Sequence, residues 1–310
     1  MLQAAYEEML RDLEALPQGR SVELAFYGGT FTLLPEEWLT RFLEAAARYR
    51  AQGTVHAVRC STRPDACDPD LLDRLKAQGL DTVELGVQSF HDGVLLAARR
   101  GHAGRDAVKA CAAVKNAGLG LGVQLLPGLP GHTLEMFEDD IAQCVRSAPD
   151  MVRLHPCLVL AGTGLEALWR RGEFAPWPLE DTVHAFAGAV LALWRTDIAV
   201  TRIGLAPEPS LEEGVLAGPR HPALGTMVRA HALLLDIRER LDAPGILRPG
   251  QPPGPGGRTA LRLRVPQRLS GEFFGHGREL AGAYAGLGLT AGAVTFEERD
   301  DLLLEVIQDE

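Results

Sequence analysis

The stretch ELAFYGGTF, residues 23–31, decides how the rest of the chain is read. Apolar Leu24, Ala25 and Phe26 form the middle of a buried strand over residues 21–27. The strand stops on Gly28, Gly29 and the hydroxyl of Thr30. Adjacent glycines carry no side chain, so a ligand can approach the backbone and its free N–H and carbonyl groups. Taken alone, the pair is equally a tight turn with no ligand. The sequence on either side has to decide.

Upstream, residues 3–16 place Tyr6, Met9, Leu10 and Leu13 on one face at helical spacing. Acidic residues interrupt the apolar positions, so this is an amphipathic helix and not a signal peptide. Downstream, helices and strands alternate. Pro35 opens a helix to about Arg50, with Glu36 and Glu37 in the first turn, where the helix dipole favours acids. Residues 55–61 are a strand, and Asp68-Pro69 starts a helix closed by Gly79. Strands follow at 82–87, 119–126 and 151–155, and a short one at 199–204. Helices lie between them at 104–117, from the Thr133 cap to Ser147, and from about Leu179 to Arg195. Apolar strands alternating with helices imply a parallel sheet covered by helices. Five or six such units suit a barrel or partial barrel, in which chemistry sits at the C-terminal ends of the strands.

Those ends are polar or glycine-rich five times in succession. After Gly28-Gly29-Thr30 come Ser61-Thr62-Arg63-Pro64-Asp65, then Gln88-Ser89, then GLPG at 128–131 preceded by Gln124, then His155. Such a ring points to a small-molecule site at the barrel mouth. Gln88 ends an apolar strand and therefore needs a partner. Glu84 and His155 are the acid–base candidates of an ordinary TIM-like enzyme. Glu84 equally suits a pair inside the barrel, and His155, followed by Pro156, a structural role.

With 31 Lys and Arg against 41 Asp and Glu, the net charge of −10 gives no basic coat for nucleic acid. No apolar run reaches the length of a membrane span, so no membrane partner and a cytoplasmic location are expected. The cysteines are Cys60, Cys67, Cys111, Cys144 and Cys157. Their spacing forms neither a disulfide framework nor a metal site, and free buried thiols are expected. Residues 244–258 are Pro/Gly-rich and read as a linker. They separate a barrel over 1–243 from a small α+β region over 259–310, read as strand, helix, strand, strand.

Several motifs together resemble a known family. YGGTF at 27–31, STRPD at 61–65, LGVQSF at 85–90, ARRGH at 98–102, GLPGHT at 128–133 and GTGLEALW at 162–169 are similar to radical S-adenosylmethionine (SAM) proteins. The resemblance is to the branch with the catalytic subunit of Elongator and oxygen-independent coproporphyrinogen oxidase. RIGLAP at 202–207 and AGPRHPALG at 217–225 resemble uncharacterised bacterial members of it. The resemblance implies an α/β fold, a partial (β/α)6 TIM-like barrel that holds SAM and a [4Fe–4S] cluster. It implies reductive cleavage of SAM, hydrogen abstraction from a substrate, and an external electron donor. By the same resemblance, Gly28, Gly29 and Thr30 meet the SAM amino group, Gln88 contacts SAM, and Arg100 pairs with its carboxylate. Gly128, with Leu129 and Pro130, marks the strand end near adenine and ribose. Ser61 and Gln124 depart from the family, whose members often carry carboxylates there. No catalytic residue is assigned.

The family's CxxxCxxC motif, whose thiolates ligate the cluster, occurs nowhere in the 310 residues. The first barrel strand is expected to be missing too, with about 30 upstream residues, the size of part of one βα unit. The reading adopted is an N-terminally truncated radical SAM enzyme. The alternative is a degenerate, non-catalytic barrel that binds SAM or another nucleotide. An absent first strand leaves an open sheet edge, a place for self-association. The Elongator relatives suggest an RNA substrate and the porphyrinogen relatives a small molecule.

Overall fold

A computed structural model of the chain describes residues 1–205, 213–242, 259–290 and 292–308. The Pro/Gly-rich segment at 244–258 lies outside the described residues. The chain forms two compact units, Met1–Cys157 with Thr196–Arg202, and Leu158–Arg195 with Ile203–Glu310.

The first unit is built on a six-stranded sheet: β1 (Val22–Phe26), β2 (Val55–Thr62), β3 (Thr82–Gln88), β4 (Gly120–Leu125), β5 (Met151–Leu154) and β7 (Ala199–Ile203). The strands follow in that order, the ladders from β1 to β5 are parallel, and the sheet curls into a half-barrel. Between them lie α2 (Glu36–Ala51), α3 (Pro69–Ala77), α4 (Asp92–Ala97), α5 (Gly104–Asn116) and α6 (Leu134–Ser147), after α1 (Leu2–Glu14). The helix signals in the sequence act as expected. Asp68 accepts a hydrogen bond from the Leu71 N–H at 3.0 Å, and Thr133 Oγ1 from the Met136 N–H at 3.2 Å. Gly79 and Gly118, with φ of 99° and 69°, end α3 and α5. The α4 helix was not foreseen: six residues containing Gly93 are too short for a helical period to show.

Side chains alternate along each strand, and the two faces differ completely. One face carries Val58, Cys60, Val83, Leu85, Val87, Leu121, Val123, Leu125, Val152 and Leu154, all nearly or wholly buried. Burial of each such aliphatic side chain contributes about 1.5–3 kcal/mol. The other face carries Arg59, Ser61, Glu84, Gln88, Gln124 and Arg153, with Gly120 and Gly122 between. The register sets Ser61 beside Glu84, Glu84 beside Gly122, and Gln124 beside Arg153. Contacts between non-adjacent strands identify this polar face as the concave one. Arg59 on β2 reaches Met151 Sδ on β5 at 3.5 Å, and Arg153 on β5 reaches Glu84 on β3 at 3.1 Å. A complete TIM barrel fills its interior with branched apolar residues. Here the interior face is polar, which suits a ligand cavity.

The second unit contains β6 (Val159–Leu160), α7 (Gly164–Arg170), α8 (Leu179–Trp194), β8 (Val215–Ala217), α9 (Leu224–Asp242), β9 (Thr259–Pro266), α10 (Ala281–Gly286), β10 (Val294–Glu297) and β11 (Leu303–Gln308). The order strand, helix, strand, strand holds for the described part of 259–310. β9 is the centre of a three-stranded sheet, parallel to β10 and antiparallel to β11. Leu263, Val265, Phe273 and Tyr284 share one core with Leu233, Leu234, Ile237 and Leu241 of α9.

Candidate functional site

The C-terminal ends of β1 to β5 carry the residues singled out in the sequence. Gly28, Gly29 and Thr30 follow β1. Gly28 has φ of 93°, a backbone conformation that a side chain disfavours, and no atom lies within 4 Å of a Cβ built on Gly28 or Gly29. Open space therefore faces the glycines. Beside them, Tyr27, Gly28, Gly29 and Thr30 line a cavity of about 480 Å³ that also touches α1 and the β1 edge.

Ser61 is half-buried on the concave face of β2. Gln88 ends β3, is 4 % exposed and has φ of 67°. Gln124 Nε2 on β4 donates to Gln88 Oε1 at 3.4 Å, which supplies the partner that Gln88 required. Arg100 follows α4, and its guanidinium turns back toward β3: a Cβ on Gly86 would lie 3.8 Å from Arg100 Nη2 and 2.8 Å from Gln88 Nε2. The fold therefore gathers Gln88, Gln124 and Arg100 around the end of β3. Gly28-Gly29-Thr30 stand two strands away at β1, and Gly128, with φ of 86°, lies in the loop after β4.

Among the described residues, Arg100 Nε is buried without a hydrogen-bond partner. Burial and then the nearby Arg63 lower the Arg100 pKa. A half-buried cation of this kind is chemically suited to an anionic group. Open glycine backbone, paired amides and this arginine fit the amino, hydroxyl and carboxylate groups of SAM.

Deeper on the concave face lies a network that the sequence did not assemble. Tyr27 Oη donates to Glu84 Oε2 at 3.2 Å, and Arg153 sits 3.1 Å from Glu84 Oε1 and 5.0 Å from the Tyr27 ring centroid. Burial, then the Glu84 charge, raise the Tyr27 pKa, so the phenol keeps its proton. Glu84 is thus paired within the barrel, one of the two roles considered for it. Its partners come from β5 and from the end of β1, and only curvature brings them together. His155 is buried, and its N–H donates to the Leu125 carbonyl at 3.0 Å.

The cysteines do not fit an iron–sulfur cluster. Cys60 points to the apolar face of β2, Cys111 and Cys144 are buried on α5 and α6, and Cys157 is buried after β5. Burial pushes the thiol of Cys111 up to about 11 and those of Cys67 and Cys157 up to about 12, and raises Cys60 and Cys144 as well. Cluster ligation requires several thiolates converging on one point, and the CxxxCxxC spacing that supplies them is absent from the 310 residues. Among the described residues, no group of three or more His, Cys, Asp or Glu could hold a metal ion. No helix of the described residues is long and apolar enough to cross a membrane.

A parallel half-barrel with a polar concave face and glycine-rich strand ends is the class of fold that the structure defines. The chain belongs to the radical SAM superfamily: that family's description matches residues 4–144, and the Radical_SAM C-terminal domain matches residues 149–234. It is 32% identical over 195 residues to the tRNA uridine(34) acetyltransferase of Methanocaldococcus infernus, covering 56% of this chain and 36% of the relative. It is 30% identical over 270 residues to Elongator complex protein 3 of Homo sapiens, covering 77% of this chain and 49% of that protein. The chain thus spans half or less of the length of these relatives. Among solved structures, archaeal Methanocaldococcus infernus Elp3 with an N-terminal deletion superimposes with a TM-score of 0.62 at 27% identity, covering 78% of this chain and 59% of that one. Coproporphyrinogen III oxidase of Escherichia coli, a radical SAM enzyme, shares the fold with a TM-score of 0.50 at 20% identity, covering 63% and 45%.

Proposed function

We propose that this chain binds SAM at the strand ends of its half-barrel. Gly28, Gly29 and Thr30 receive the amino end, Arg100 the carboxylate, and Gln88 with Gln124 the hydroxyl groups. Gly128 and Ser61 border the same ligand. The observation that carries this reading is Arg100, a half-buried guanidinium with a buried, unpartnered Nε, set beside Gln88 and Gly86. SAM cleavage and hydrogen abstraction belong to the family as a whole. No step of that chemistry is assigned to these residues, because their cysteines do not fit its cluster. An RNA is the proposed substrate class, following the relatives named tRNA uridine(34) acetyltransferase.

Calorimetry on the purified chain tests the SAM site. Wild type should bind SAM, and Arg100→Ala should weaken binding by about tenfold or more. Arg100→Lys should restore little, because an ammonium cannot make the planar fork. Equal binding by wild type and Arg100→Ala would remove the assignment. A second reading, a non-catalytic barrel that takes SAM or another nucleotide, is favoured by cysteines of which four are buried and none stands in the CxxxCxxC spacing. It predicts that ATP or AMP competes with SAM.

A further inference from the structure

Gln88 holds its place in a conformation that glutamine rarely adopts, with φ of 67°. The β3–β4 ladder is irregular between Leu85 and Gln88. Such irregularities re-aim a side chain beside a site. The turn closes through the Ser89 N–H to the Val87 carbonyl and the Leu126 N–H to the Gln88 carbonyl, both at 2.9 Å. A residue left in this region relaxes unless its surroundings over-determine it.

The surroundings do so through one buried carboxylate. Asp140 on α6 is 0 % exposed. Its Oδ1 accepts the Phe90 N–H at 2.7 Å, and its Oδ2 lies 3.2 Å from Nε2 of His132, whose side chain is also fully buried. Phe90 belongs to the turn after β3, and His132 to the loop after β4. His91 Nε2 stands 3.9 Å from Asp140 Oδ1 and 3.1 Å from the Met136 carbonyl. The same turn is braced from α5: a Cβ on Gly104 would lie 1.8 Å from the Phe90 carbonyl oxygen, so the helix meets the turn at a position where only glycine fits.

We propose that Asp140, acting with His132, is the positioning residue of the ligand site: it clamps the turn after β3 so that the Gln88 amide stays aimed beside Gln124 and Arg100. Asp140 touches no ligand, since it is enclosed. A buried carboxylate is costly unless it is hydrogen-bonded; here Oδ1 holds the Phe90 N–H, and Oδ2 faces His132 Nε2 at ion-pair distance without hydrogen-bond geometry. The proposal rests on the SAM-binding reading for its functional part.

Three variants test it: Asp140→Ala, Asp140→Asn, and Leu72→Ala, which opens a cavity on α3 outside the site and controls for lost stability. SAM affinity is read by calorimetry, and amide hydrogen exchange is read at residues 88–92. Asp140→Ala should weaken SAM binding by about tenfold and speed exchange at 88–92 by a similar factor. Asp140→Asn, which can still accept the Phe90 N–H, should recover affinity to within about threefold. Leu72→Ala should lower the melting midpoint and leave affinity and local exchange unchanged. Wild-type affinity in Asp140→Ala overturns the proposal, as does an equal loss in Leu72→Ala. If wild type binds no SAM, the SAM reading fails on its own. The clamp is then decided by exchange alone, and unchanged exchange at 88–92 in Asp140→Ala overturns it.

Discussion

Glu84 on β3 and Arg153 on β5 lie 3.1 Å apart across the strand between them. The crossing passes over Gly122, where a Cβ would come within 3.2 Å of Glu84 Cγ and 3.0 Å of Met151 Cε. The pair is therefore a product of curvature and of a missing side chain. Glu84 is 1 % exposed, so its carboxylate depends on Arg153 and Tyr27 for compensation. Arg153→Met should destabilise the chain by about 3 kcal/mol, because it leaves a buried charge uncompensated. The double variant Glu84→Gln with Arg153→Met should cost clearly less, as read from urea denaturation midpoints. A double cost equal to the sum of the costs of Glu84→Gln and Arg153→Met alone would show that the pair is not coupled.

The left-handed turn at Gln88 predicts an inversion of the usual glycine penalty. Gln88→Gly and Gln88→Ala both delete the amide, yet only glycine adopts φ of 67° freely. Gln88→Gly should be the more stable of the two by about 1 kcal/mol. Both should lose SAM affinity. Thermal unfolding of the two variants side by side is enough, and a more stable alanine variant would refute the strained turn.

The thiols predict an alkaline limit. Cys67, Cys111 and Cys157 rise by burial from 9.0 to about 12, 11 and 12. A group whose folded pKa is raised holds its proton longer in the native state than in the unfolded chain. Its stabilising contribution is complete below the unfolded value and is lost as pH rises through the folded one. Stability should thus be insensitive to thiol titration below pH 9 and fall between 9.0 and about 12. Tyr27, raised in the same direction, adds to the loss above its ordinary value of 10.0. Urea midpoints across that range check the slope. At pH 8 the four buried thiols should react slowly with a disulfide reagent, and more than one fast-reacting thiol would contradict their burial.

Iron gives a further test. Anaerobic reconstitution of these 310 residues with iron and sulfide should leave the protein without cluster absorption, because they contain no CxxxCxxC and four of the five cysteines are buried. A brown protein with about four irons per chain would show that the cysteines rearrange to ligate a cluster.

Much of the architecture was legible in the sequence because local rules suffice for it. Asp68 and Thr133 announce their helices through side-chain oxygens that cap them, and Gly79 and Gly118 close theirs. The alternation of strand and helix implied the parallel sheet. The short α4 helix escaped, since six residues show no period. The helix at Leu224–Asp242 carries Val228, Leu234, Ile237 and Leu241 on its buried face, and its pattern is diluted by the other apolar residues around it.

The sequence by itself determined the six strands of the first sheet, the caps of the helices between them and the family resemblance, because these follow from residue types at short spacing. Only the tertiary structure decided that Arg59, Glu84 and Arg153 share one concave face, that Gln88 is turned into the left-handed region, and that Asp140 ties two loops together. Each of these joins residues far apart along the chain. The joins depend on the curl of the sheet and on which buried charge finds a partner, and no short-range pattern encodes either.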